Sequence, residues 1–375
     1  MRFSQALVLS LLAASTLVVA QDDEPRSGGL LIGARNVGIG FGHVDAITGL
    51  RINWSDDGFD YVNGMNFTLW KPATGPIDGR INGLALGLLA AAADEINGLS
   101  LSPGAVIAGS GINGISVGGL AVVSQGSLNG FNLGGLAVVG QGDVWGFSLG
   151  GLAIVSQRSL TGISIGGLAS VAQRDISGIS IGGLATVAQG ELTGLTMSGL
   201  GTVAQGSMTG ISVSGLAVVT QKDLTGLSMS LLATVAQGDI KGINIAGVAV
   251  VGTGGVIGAT FGGVAIVSTG PIAGVNITAG QLSSETSVTG LNIGLYKIDS
   301  RSISGLNAGL IWTESSSLSG LSISGYNRTR GLQRGIVIGL LNHAEDLLGV
   351  QFGVLNVVES NPAWARYLPL MNVRF

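Results

Sequence analysis

The 375-residue chain contains no cysteine, which excludes disulfides and leaves no thiol to carry a lipid anchor. Charge is scarce too: Asp, Glu, Lys and Arg amount to 10%. The net charge is −4 with no basic cluster, so nucleic acid is not an expected partner. Yet 46% of the residues are hydrophobic, a composition foreign to disordered chains. Beyond the amino terminus no uninterrupted apolar run reaches about 18 residues, so helical membrane spans are not expected. Aromatic residues are few, and between Gly98 and Gly290 they are Phe131, Trp145, Phe147 and Phe261. What these absences leave is an all-β chain of many short strands.

The amino terminus has the pattern of a cleavable export signal. Arg2 supplies the positive charge, Ala6 to Val19 is an apolar run, and Val18-Val19-Ala20 offers small residues before Gln21. Such a run is short for a membrane span. Residues 1–20 are therefore expected to be a signal peptide, 21–48 an amino-terminal segment, and 49–375 a repeat β domain.

Glycine is abundant, at 66 residues, and much of it is periodic. It recurs every sixteen residues from Gly114 to Gly290, more loosely back to Gly49, and at slightly shorter spacing on to Gly349. With the glycine as position one, five apolar columns accompany it. In the unit Gly178 to Thr193 these are Ile179, Ile181, Leu184, Val187 and Leu192, at positions two, four, seven, ten and fifteen. A fixed period of this kind marks one small structural unit repeated many times. Between Gly98 and Gly290 every ionisable residue falls at positions twelve to sixteen, as Arg174, Asp175 and Glu191 do. A bilayer or a protein interior could impose that exclusion.

Two architectures satisfy the pattern. In a parallel β-solenoid each unit is one coil, glycine corners separate short strands, and all five apolar columns are expected to meet in one core. In an outer-membrane up-and-down β-barrel each unit is one strand, and eleven uncharged residues at ~3.3 Å cross the apolar band when tilted. Parity favours the solenoid. An unbroken strand puts positions two, four and ten on one face and seven on the other, which would aim a leucine into a wide lumen that should be polar. The column Gln125, Gln141, Gln157, Gln173, Gln189, Gln205, Gln221 and Gln237 would stack as one ladder in a solenoid. The carboxyl terminus favours the barrel: Met371, Val373 and Phe375 alternate with Leu370, Asn372 and Arg374 like a closing strand, although Pro369 suits a strand start or edge.

The units Gly335-Ile336-Val337-Ile338-Gly339-Leu340-Leu341-Asn342 and Gly349-Val350-Gln351-Phe352-Gly353-Val354-Leu355-Asn356 resemble the G-φ-x-φ-G-φ-φ-N repeats of uncharacterised bacterial exported surface proteins. Leu291-Asn292-Ile293-Gly294-Leu295 is similar. The central units depart from that pattern, carrying Gly-Leu-Ala without the asparagine. The resemblance implies an exported, envelope-associated protein of unassigned activity, and no functional residue is carried over from it.

No catalytic, cofactor or metal constellation is legible. His43 and His343 are far apart in sequence. Asp56, Asp57 and Asp60 cluster beside Asn53, but the full ligand loop of a calcium site is missing and a solvated turn is expected. Gly109 to Gly114 matches a dinucleotide fingerprint with no helix pattern after it, and is a chance match. Trp54, Trp70, Trp312 and Trp364 suit a membrane interface or the ends of a soluble rod. Serine and threonine at positions three, nine and sixteen are expected to form an exposed polar face. The expected function is a non-enzymatic surface or envelope repeat protein, adhesive, structural or self-associating, with envelope or surface components as partners. The alternative is a barrel acting as a passive pore, with outer-membrane lipid as partner.

Overall fold

The computed structural model describes residues 28–56, 58–72 and 77–375. All regular elements among them are strands. The chain forms two compact units, one ending at Gly150 and one starting at Gly151, and each is a stack of parallel β-coils. Residues 1–20, with the expected signal peptide, lie outside the described residues.

One coil of the second unit consists of a seven-residue strand, Ile176–Gly182, a turn at Gly183 and Leu184, and a four-residue strand, Ala185–Ala188. A second turn at Gln189 to Glu191 leads to the next coil. Each strand pairs in parallel with its equivalents sixteen residues away: Ile179 lies between Ile163 and Leu195, and Val187 between Val171 and Val203. The turns are bonded between coils as well, with Leu184 N–H donating to Leu168 O at 2.7 Å and Leu200 N–H to Leu184 O at 2.8 Å.

The glycine column owes its strictness to two facts. Gly178 has φ of 108°, a conformation nearly closed to other residues, and it bends the long strand in the middle. A β-carbon there would also collide with the Gly162 carbonyl oxygen of the preceding coil. The bend makes the coil three-sided. Positions two to five form the first side, eight to eleven the second, and fourteen to sixteen the third.

The direction of the side chains corrects the expected core. Position fifteen is the inward column that is large and apolar in every central coil, with Leu160, Ile176, Leu192, Met208 and Leu224 buried, and position nine adds Ile154, Val218, Val250 and Ile266 in some coils. The other inward positions hold small or hydroxyl residues: Ser180, Gly182, Thr186 and Ala188 in this coil. Positions two, four, seven and ten face out. Serine and threonine at positions three and nine therefore lie inside the coil, and of the three polar columns only position sixteen is exposed. The reason is volume. A coil is only ~4.8 Å thick along the stack, and a sixteen-residue loop encloses too little space per layer for five Leu, Ile or Val side chains at protein packing density. Small residues let the walls approach, and their hydroxyls bond across the gap: Ser198 to Thr186 at 3.0 Å, Ser214 to Thr202 at 2.8 Å.

Toward the carboxyl terminus the spacing falls to fifteen and fourteen residues, the turn at position twelve contracts, and the strands run on through bulges such as that between Thr329 and Leu332. Here inward amides join the buried hydroxyls of Ser300, Ser315 and Thr329. Asn276, Asn292 and Asn307 form one ladder and Asn327, Asn342 and Asn356 another, at 2.8–2.9 Å.

In the first unit the register runs back beyond Gly49. Strand Val37–Phe41 pairs in parallel with Ala46–Asp56, placing Gly38 opposite Gly49, and it is covered on its other edge by the antiparallel strand Leu30–Ala34. The carboxyl-terminal strand Tyr367–Arg374 is likewise antiparallel, with Met371 opposite Phe352 and Val373 opposite Val350. It lies along the last coil and closes no barrel. The long parallel ladders exclude the up-and-down meander, whose neighbouring strands would be antiparallel. The parity objection to the barrel presumed an unbroken strand, whereas position seven sits in a turn.

Candidate interaction surface

Because the pleat sends large apolar residues outward at positions two, four and ten, and the turn presents position seven, two adjoining sides of the coil are apolar. In the second unit the corner column is Leu152, Leu168, Leu184, Leu200, Leu216, Leu232, Val248 and Val264, each 41–58% exposed. On one flank run Ile163, Ile179, Met197, Ile211, Met229 and Ile243, all exposed. On the other run Val155, Val171, Val187, Val203, Val219, Val235, Val251 and Val267. The third side and its corner hold the charges of these coils: Arg158, Arg174, Asp175, Glu191, Lys222, Asp223, Asp239 and Lys241. Lys241 pairs with Asp239 at 2.7 Å. The Asp239 carboxyl is held below its usual range by that bond and by the Gly255 N–H.

The apolar pattern then narrows. The first side stays apolar through Leu291, Leu306, Ile336 and Phe352, but the second side becomes charged at Lys297, Asp299, Glu314 and Arg328. Glu314 is the hub. It accepts a hydrogen bond from Arg330 and lies 3.4 Å from Lys297 and 4.0 Å from Arg328. Burial pushes its carboxyl up, but the bond and charge of Arg330, with Lys297, outweigh this and hold it below the usual range. Lys297 also stands over the ring of Trp312, which packs on Tyr326.

The first unit carries its own features. Its third side displays an asparagine ladder, Asn63, Asn82, Asn97, Asn113 and Asn129, each bonded to the next at 2.8–3.0 Å. Inside, Asp56 is fully buried and accepts from Arg51, Asn53, Asn66, Thr68 and the Ala92 N–H. Arg51 in turn lies over the Phe59 ring at 4.5 Å.

The residues singled out in the sequence are scattered. Asp56 belongs to that buried network, Asp60 is exposed, and Asp57 lies outside the described residues. His43 faces Asp45 and His343 faces Glu359. No group of three or more His, Asp or Glu suited to a metal occurs among the described residues. Gly109 to Gly114 lies within one strand, Ala105–Gly118. Trp54 and Trp70 stack at 5.9 Å, and Trp364 stands 81% exposed. Met371, Val373 and Phe375 are exposed, while Asn372 between them is buried against Asn361. Within each unit the glutamine column forms an exposed or half-exposed corner whose backbone is bonded between coils, as in Gln189 N–H to Ala172 O at 3.1 Å. The interior column at position three was missed from sequence, although its unbroken run of Ser, Thr and Asn in the second unit's coils up to Ser322 was a visible signal. Comparison with family models, curated proteins and solved structures returns no match to this chain.

Proposed function

We propose that this is an exported repeat protein of the cell surface or envelope, with a structural or adhesive role carried by an extended surface rather than by catalysis. The observation that carries the proposal is the two-faced coil repeated from Leu152 to Val264: two apolar sides unbroken over eight coils, and a third side that holds all of their charges, spread over five of the eight. Monomeric soluble proteins rarely expose contiguous apolar patches beyond about 300–600 Å², so a face of this extent has a partner. The export signal expected at residues 1–20 supports the same placement.

Cell fractionation of the full-length protein, with protease added to intact cells, tests it. The protein should appear in the envelope fraction, with some of it cleaved from outside. Recovery in the soluble cytoplasm would overturn the proposal.

A further inference from the structure

The apolar face has a shape that restricts what can cover it. In the eight coils from Leu152 to Val264 the first side, the leucine corner and the second side form one convex wedge. Each coil adds ~4.8 Å along the stack, and about nine residues at ~3.3 Å cross the wedge, so it spans on the order of 1,100 Å². A standard interface takes about 800 Å² from each partner. Over these coils, however, each single side offers only about 500 Å², by the same spacing. A second copy laid flat on one side would leave the other side bare.

The face also lacks register. Leu or Val at position seven, Ala or Gly at eight and Val at ten recur in every one of these coils. A protein partner displaced by one coil would meet the same surface, so nothing fixes its position. A fluid apolar medium needs no register and covers a convex corner as readily as a flat side.

The wedge asks little of such a medium. Backbone groups there are bonded from coil to coil, at the strands and at the corner, where Leu216 N–H donates to Leu200 O at 2.8 Å. No backbone group of the wedge need be stranded in hydrocarbon, which is the condition a lipid-facing surface must meet. All charged residues of these coils lie at positions thirteen to sixteen, on the third side and the corner leading to it. With sides of about 13 Å, the wedge is about as deep as one leaflet's share of the ~30 Å hydrocarbon core.

We propose that this wedge lies in one leaflet of a lipid bilayer, apolar corner inward and charged third side in water, so that the coil stack rests in the membrane plane. The proposal rests on the envelope placement above and names lipid as the partner. It is the arrangement of an interfacial amphipathic helix, built from a β-coil. Lysine, arginine, aspartate and glutamate are interspersed on the third side, so binding comes from apolar burial and not from attraction to anionic headgroups.

The test uses the full chain and neutral phosphatidylcholine vesicles. The protein should float with the vesicles, equally at low and high salt. The variant Leu184→Glu, Leu200→Glu, Leu216→Glu changes only exposed side chains. It should keep its β circular dichroism and lose vesicle partitioning at least tenfold. The third-side variant Thr193→Glu, Thr209→Glu, Thr225→Glu should float like the parent. Because the chain has no cysteine, Leu200→Cys and Thr193→Cys each accept one environment-sensitive dye. Vesicles should shift the dye emission to the blue at position 200 and leave it unchanged at position 193. A parent protein that stays below the vesicles as a soluble oligomer, a corner variant that floats unimpaired, or equal shifts at both labels would overturn the proposal. These outcomes separate from fractionation: an envelope protein that does not float loses only its lipid partner, and one that floats but stays cytoplasmic loses only its address.

Discussion

Gly178 lies directly over Gly162 in the parallel ladder, and a β-carbon on it would approach the Gly162 carbonyl oxygen closer than the 3.0 Å that real β-carbons keep. Its φ of 108° adds a second penalty for any side chain. Gly178→Ala should therefore lower stability by roughly 1–3 kcal/mol. Gly201 has no such neighbour and no positive φ. Gly201→Ala should be neutral or stabilise by about 0.4–1 kcal/mol. Thermal and denaturant unfolding of the two variants checks the contrast.

The two leucines of one coil should behave oppositely. Leu192 is 1% exposed and Leu184 is 45% exposed. Leu192→Ala should cost about 2–5 kcal/mol through lost burial and a cavity, and Leu184→Ala within about 0.5 kcal/mol of nothing. Equal losses at both positions, measured in detergent-free buffer, would contradict the inward and outward assignment.

Asp56 collects five donors while fully buried, with the Arg51 guanidinium at 3.3 Å. Removing one member of such a pair strands the other charge. Asp56→Ala should destabilise the first unit by about 3–5 kcal/mol, and limited proteolysis should then cut near residues 28–100 before the second unit. Uniform susceptibility along the chain would argue against it.

Acid should loosen the second unit through Glu314. Its folded value is depressed below the ordinary 4.5, so folding favours the ionised form. That contribution is complete above the unfolded value and is lost as pH falls through the folded one. Melting temperature should drop as pH is lowered below about 4.5, and Glu314→Gln should flatten that part of the curve while lowering stability at neutral pH. An unchanged acid limb in the variant would assign the loss to other carboxylates.

Much of the architecture was legible in the residues. The sixteen-residue spacing, the glycine at each bend and the confinement of charge to positions twelve to sixteen each have a local cause. A backbone that must take positive φ selects glycine, and ions are kept out of the coil interior, where burying an unpaired charge is costly. The side-chain directions were legible in part. Within Ile179-Ser180-Ile181 the alternation states that isoleucine and serine face opposite ways, but not which of them faces in. The general expectation that large apolar residues turn inward chose the wrong face. The candidate surface was missed for the same reason, since the residues that form it had been assigned to a core.

The sequence by itself determined the period, the all-β character, the bends and the separation of charged from uncharged positions, because these follow from the conformational limits of individual residues and their spacing. Only the tertiary structure decided the parallel stacking and the polarity of the coil. The stacking is a pairing of backbone groups sixteen residues apart in the chain, and the polarity depends on how much volume a closed loop of sixteen residues leaves inside once neighbouring coils stand one strand spacing apart. That room suits one or two aliphatic side chains beside several small ones, as with Val218 and Leu224 in one coil, and the remaining apolar columns are left on the outside.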